Sequence, residues 1–140
     1  MDETNTDETD AAQTAEARRA RGIEVYAQIF ELPARAAAAA MAARVGPVFA
    51  EEAFASAGGP AWSAEGLTAR DRSIAILTAL AAQGVAGDRL TTHLRLAGKH
   101  GIGHDGLTAL MTLLANYIGY PYASAAMESV ERAAESGLLQ

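Results

Sequence analysis

An uncharged segment, residues 106–127, constrains the fold of this chain more than any other feature. Read as a helix, it carries large apolar side chains around most of its circumference: Leu107, Leu110, Met111, Leu113, Leu114 and Ile118. A helix that is apolar all round must be covered all round. Because only one or two helices of a small domain are central, we predict that a second subunit covers part of it. The alternative is the core helix of a monomer.

The rest of the chain also has helical patterns, and no strand pattern stands out. Apolar residues recur at spacings of three and four, and Thr68 with Asp71 resembles a capping box ahead of one such segment. Glycine and proline are predicted to interrupt the helical segments at Gly46-Pro47, Gly58-Gly59-Pro60, Gly84, Gly101 and Gly119-Tyr-Pro121. We therefore predict an all-α fold: a single helical domain of about six helices over residues 15–140, with its last helix starting near Ala123.

The composition excludes several classes of protein. Half of the 140 residues are apolar, which suffices for one core without covalent staples. There is no cysteine, so disulfides, thiolate metal sites and thiol peroxidase chemistry are excluded. The lack of cysteine fits a cytoplasmic protein, which is the location we predict. No apolar stretch is long enough to span a bilayer, so no membrane association is expected.

The net charge of -6 is concentrated at the N-terminus. Five of the 17 acidic residues lie among the first ten residues, which leaves the body nearly neutral against its 11 basic residues. We predict a disordered acidic tail over residues 1–14, acting as a solubilising extension or as a partner-binding arm. Because the rest of the chain is nearly neutral, it has no excess positive charge to attract nucleic acid, and a nucleic-acid partner is not expected. The acidic N-terminus also differs from a secretion signal.

His93 is the residue that decides most about function. It lies in the amphipathic segment 88–100, on the same side as Leu90 and Leu94 and opposite Lys99. A titratable ring aimed at a core is either a hydrogen-bonded structural residue or the working group of a site. His100 and His104 are predicted to be solvated. Because no acid lies beside them at helical spacing, no metal site is predicted.

Four short motifs together carry a family resemblance. They are WSAEGLTARDRS from Trp62, His93-Leu-Arg, Gly101-Ile102 and YIGYP from Tyr117, and in this order they resemble the carboxymuconolactone decarboxylase family. The resemblance implies an all-helical subunit of a ring-like homo-oligomer, a trimer or hexamer, that needs no cofactor. The same fold includes alkyl hydroperoxidase D-like thiol enzymes with a Cys-x-x-Cys. Those two positions are Ala86 and Arg89 here, so the chain is not expected to be one of these thiol enzymes.

The resemblance also implies a reaction and roles. A carboxylate leaves a carbon next to an unsaturated lactone, and the electrons spread into the lactone carbonyl, so the substrate is its own electron sink. His93 is the candidate proton donor or oxyanion stabiliser. Arg72, Tyr117 and Trp62 are candidate substrate-binding residues. The alternatives are a core histidine, a first-turn ion pair of Arg72 with Asp71 or another acid, a core or interface role for Tyr117, and a loop anchor for Trp62.

The chain also departs from the family pattern. Ala64 stands where an arginine is expected, and Gly106 and Ala109 stand where the family often has acidic residues. Three hypotheses follow. The first is a cofactor-independent lyase that decarboxylates a small lactone or keto acid. The second is a non-catalytic ligand-binding or structural oligomer. The third is a tailoring enzyme for a larger aromatic substrate.

Overall fold

The computed structural model describes the backbone of residues 3–139 and the side chains of residues 14–139. Within these residues the chain forms helices and no strands, which confirms the all-α prediction. There are eight helices in this part of the chain: α1 (Glu3–Phe30), α2 (Ala34–Val45), α3 (Pro47–Ala57), α4 (Pro60–Ser63), α5 (Ala69–Ala82), α6 (Asp88–Lys99), α7 (His104–Ile118) and α8 (Tyr120–Glu135). The predicted disordered tail over residues 1–14 lies largely outside the described side chains and stays a prediction.

Two differences from the predicted helices have the same physical cause. Pro60 opens the short helix α4 where a loop was expected, and α8 begins at Tyr120 rather than near Ala123. Each helix has its proline in the first turn, where the missing N–H is not needed and the fixed φ angle suits the helix. In both places a helix therefore begins directly after a glycine, with proline as its first or second residue. This is one reason why the structure has more helices than the predicted six.

The chain divides into two compact units, Met1–Glu65 and Gly66–Gln140. The first unit contains α1 to α4 and the second contains α5 to α8. The prediction of a single domain over residues 15–140 stays a prediction. In the described part of the chain, no helix is both long enough and apolar enough to cross a bilayer.

In the first unit, α1 and α3 approach each other at two glycines. A Cβ atom on Gly22 would lie 1.7 Å from the Phe54 carbonyl oxygen, and one on Gly58 would lie 1.7 Å from the Arg18 carbonyl oxygen. Both positions therefore require glycine. Arg18 Nε donates to the Ala55 carbonyl at 2.6 Å, and Arg21 Nε donates to Gly58 at 3.2 Å. These guanidinium groups supply the positive charge that a helix C-terminus favours.

In the second unit, α5 and α6 form an antiparallel pair that packs on α8. The capping box predicted at the start of α5 is present: the Asp71 N–H donates to Thr68 Oγ1 and the Thr68 N–H donates to Asp71. Gly84 and Gly87, both at φ 70°, form the turn into α6. The core is aliphatic: Leu77, Ala81, Leu90, Leu94, Ala97, Ile102, Leu107, Met111, Leu114, Ala126, Val130 and Ala133.

Candidate functional site

His93 lies on α6 with its ring half-buried. Its neighbour Leu94 is fully buried in the core. The structure gives the His93 ring no hydrogen bond or ion pair with any described residue. Burial lowers the pKa of His93 from the ordinary value of 6.5, because a charged imidazolium loses hydration there. This shift favours the neutral ring at pH 7, and its N–H and lone pair are not engaged within the described chain.

Arg72 lies at the opposite end of the α5–α6 pair from the turn. Ser73, the next residue, has its Oγ 2.7 Å from His100 Nδ1, which pairs the start of α5 with the end of α6. His93 is seven residues before His100, so it lies about 10 Å further along the helix axis. The buried Arg72 guanidinium donates to the carbonyl of Leu67, in the segment that precedes α5. This hydrogen bond holds the Arg72 side chain toward the segment that precedes α5.

The other two predicted substrate-binding residues are Tyr117 and Trp62. Tyr117 is near the end of α7 with 81% of its surface exposed, so within one chain its ring faces mostly solvent. Leu113, one turn earlier on the same face, is 56% exposed. Trp62 is half-buried in α4 and belongs to the first unit, whereas Arg72, His93 and Tyr117 belong to the second.

Two histidines that were predicted to be solvated have partners. His100 is half-buried and is held by Ser73 and by a hydrogen bond with the Ala69 backbone, so the prediction is wrong for this residue. Burial lowers its pKa. His104, at the start of α7, has its Nε2 2.8 Å from Glu131 Oε1, and this bond raises its pKa. The 27-residue separation in each pair explains why no sequence spacing indicated them.

The second unit also contains a groove of about 580 Å³ between α7 and α8. We call it the α7–α8 groove, and its lining residues are Met111, Thr112, Ala115, Tyr120, Ala123, Ser124, Met127, Glu128, Glu131 and Arg132. None of the four predicted site residues is among them. The sequence contained a weak signal for it, because Tyr120, Ser124 and Met127 recur on α8 at spacings of four and three. The part of the chain with described side chains contains no group of three potential ligands that could hold a metal ion.

Comparison with protein families shows which family this chain belongs to. A model described as the carboxymuconolactone decarboxylase family matches residues 47–132, more than half of the chain. The chain belongs to the carboxymuconolactone decarboxylase family. The resemblance inferred from the four sequence motifs is therefore confirmed. Comparisons with curated proteins and with solved structures returned no match.

The family match extends from the start of α3 to near the end of α8. It contains His93, Arg72, Tyr117 and Trp62, and it also contains the whole lining of the α7–α8 groove. The protein is thus carboxymuconolactone decarboxylase-like or a relative within that family, on an all-helical fold. Two surfaces of the second unit are candidate functional sites: the surroundings of His93 and the α7–α8 groove.

Proposed function

We propose that this protein is a cofactor-independent carboxy-lyase that releases CO2 from a small lactone or keto acid at His93. The observation that carries the proposal is the state of the His93 ring, which is half-buried, has no hydrogen bond within the described chain and has a pKa lowered by burial. A neutral imidazole in an apolar setting is a strong donor toward a developing negative charge. Family membership supports the reaction class.

The proposed reaction needs one broken bond and one proton. The bond between the carboxylate carbon and the ring or chain carbon breaks, and its electron pair moves into the conjugated carbonyl to form an enolate. The His93 N–H donates a hydrogen bond to the enolate oxygen, and a proton then reaches the carbon from His93 or from water. Because the pKa of His93 is lowered, the hydrogen-bonding role is better supported than that of a charged acid. Arg72 is the proposed partner for a substrate carboxylate.

The test of the function is CO2 release by the purified full chain after treatment with a chelator. We expect turnover of a carboxylated unsaturated lactone or a β-keto acid, followed by coupled detection of bicarbonate. The same substrate esterified at the leaving carboxylate is the matched control and should not react. Binding of these acids without release of CO2 would overturn the proposal.

A second candidate function is a non-catalytic ligand-binding or structural oligomer. It is favoured by the arrangement of Arg72, whose guanidinium is engaged with the Leu67 carbonyl about two helical turns from the level of His93. In addition, Ala64, Gly106 and Ala109 replace charged residues that the family pattern leads us to expect. This function predicts ligand binding that is insensitive to substitution of His93.

We also propose that the protein assembles as a homo-oligomer, a trimer or hexamer, through one face of α7. Ala109, Leu113 and Tyr117 follow one another at spacings of four and form what we call the free face of α7. All three are exposed, and the segment around them carries no charge. An exposed apolar helix face of this kind is typical of a subunit interface.

Substituting Leu113 with arginine should dissociate this oligomer. A charge at the centre of the free face must lose its hydration when a second copy packs on it, so we expect the molar mass to fall to that of one 14.5 kDa chain. Light scattering after size exclusion at about 50 µM measures it, and Glu135→Arg on the exposed side of α8 is the control. A monomeric wild-type protein, or an unchanged mass for Leu113→Arg, would contradict the proposal.

A further inference from the structure

We propose that the α7–α8 groove binds a neutral, multi-ring phenol, at a site separate from His93. The groove has a volume of about 580 Å³, within the range of small-molecule sites in proteins. Its floor consists of Met111, Ala115, Ala123 and Met127, and the first three of these are buried. Small alanines leave room for a flat ring system, and methionine sulfur packs favourably against aromatic rings. The floor therefore suits a planar apolar body.

Two of the three hydroxyl groups in the lining, those of Thr112 and Ser124, present acceptors to a ligand, and the third belongs to Tyr120. Thr112 Oγ1 donates to the Thr108 carbonyl at 2.7 Å, and Ser124 Oγ donates to the Pro121 carbonyl at 3.1 Å. Each hydroxyl proton is thus used within its own helix, and only lone pairs remain for the groove. A ligand that fits these oxygen atoms has to bring hydrogen-bond donors of its own.

Glu128 adds to the preference of the groove for a ligand that donates hydrogen bonds. Its carboxylate lines the groove, is exposed, and has no hydrogen bond or ion pair with any described residue. A hydroxyl group that donates to a carboxylate forms a charge-assisted bond, roughly twice as strong as a bond between neutral groups. A phenolic hydroxyl is such a donor and sits directly on a flat ring. Glu128 is therefore the residue that we expect to select for a phenol.

The charges around the groove favour a ligand without net charge. Glu128 and Glu131 are partly offset by Arg132, and His104 Nε2 lies 2.8 Å from Glu131 Oε1, a hydrogen bond that raises the pKa of His104. Once His104 is protonated, a cation finds no excess negative charge here. An anion that approaches Arg132 would meet Glu128 and Glu131 on the same face of α8 and would be repelled. The anionic acids proposed as substrates for the His93 site are thus poor ligands for the groove.

The groove and the free face of α7 are different surfaces. Ala115 lines the groove, and Leu113, only two residues away, points to nearly the opposite side of the helix. Self-association through Leu113 and Tyr117 would therefore leave the groove open. This separation allows ligand binding to be tested independently of both oligomerisation and turnover.

Titration calorimetry with three matched phenanthrenes at pH 6 tests the proposal. We expect 9-phenanthrol to bind with one molecule per chain, 9-methoxyphenanthrene to bind roughly tenfold more weakly because it lacks a donor, and phenanthrene-9-carboxylate to bind least. Glu128→Gln should weaken 9-phenanthrol roughly tenfold. Glu135→Gln, two turns further along α8 and outside the groove, is the control and should bind like the wild type.

A second variant tests whether 9-phenanthrol binds in the α7–α8 groove. Thr112→Phe places a large ring in the groove from an exposed position, so it should abolish binding of 9-phenanthrol without loss of helical signal. Equal binding of the methoxy compound, or tighter binding of the carboxylate, would overturn the proposal. It would also be overturned if Thr112→Phe changed the molar mass while no phenanthrene bound, since a second copy would then occupy the groove. Each result is independent of whether His93 supports turnover.

Discussion

We expect replacement of His93 by alanine to lower kcat for CO2 release by about 10²- to 10⁴-fold, the range typical of a lost acid–base or donor group. The reason is that the variant removes the only N–H that the proposal places on the developing enolate. His93→Gln separates the two possible roles. A glutamine amide still donates a hydrogen bond but cannot transfer a proton, so partial rescue indicates an oxyanion donor and no rescue indicates a proton donor.

The pH profile of the same reaction gives an independent readout. Because burial lowers the pKa of His93, the ring gains its proton only below the ordinary value of 6.5. If the neutral ring is the working form, kcat/KM falls as the pH drops through that lowered pKa. If the charged ring is the working form, kcat/KM falls instead as the pH rises through it. A profile in which His93→Ala keeps whichever of these two limbs the wild type shows would argue against His93 as the titrating group.

His100→Ala, directly after the last residue of α6, is the matched histidine control. This ring is tied to Ser73 and to the Ala69 backbone, so its loss leaves the buried Ser73 hydroxyl without its partner and lowers the free energy of unfolding by about 1–3 kcal/mol. We expect its kcat to stay within tenfold of the wild type. If His100→Ala instead abolished turnover while His93→Ala did not, the site would have to be placed at the end of α6.

Gly22→Ala should destabilise the first unit by about 3 kcal/mol or more, because its new methyl group would lie 1.7 Å from the Phe54 carbonyl oxygen. The atom in its way belongs to the backbone of α3, so relief requires the two helices to move apart. That movement would also strain the hydrogen bond of Arg18 to Ala55. Urea unfolding followed by circular dichroism measures the change.

Gly98→Ala is the matched control for this substitution. Gly98 also lies inside a helix, but the atoms nearest its added Cβ are 3.9 Å away, which is ordinary van der Waals contact. Alanine there should stabilise by up to about 1 kcal/mol through helix propensity alone. A stabilised Gly22→Ala would show that α1 and α3 do not approach each other as closely as described.

The amino-acid sequence by itself determined the helical class, several helix ends and the family. The capping box at Thr68 and the glycine stop at Gly84 depend on interactions within a few residues, so local patterns identified them. The resemblance carried by the motifs from Trp62 to YIGYP needed no structure either, since it depends on residue types in order along the chain. The starts of α4 and α8 were missed because Gly59-Pro60 and Gly119-Tyr-Pro121 were read as breaks, although a proline in this position can equally lie in the first turn of a helix.

The tertiary structure decided which of the predicted site residues lie near one another. The Ser73–His100 pair sets the register of α5 against α6, and this register separates Arg72 from His93 by about two turns. His104–Glu131 and the α7–α8 groove likewise join residues that are far apart in the chain. Helical periodicity specifies which residues share a face of one helix. Which face meets which, and at what level, is set by side-chain packing between helices, and that appears only once the helices are assembled.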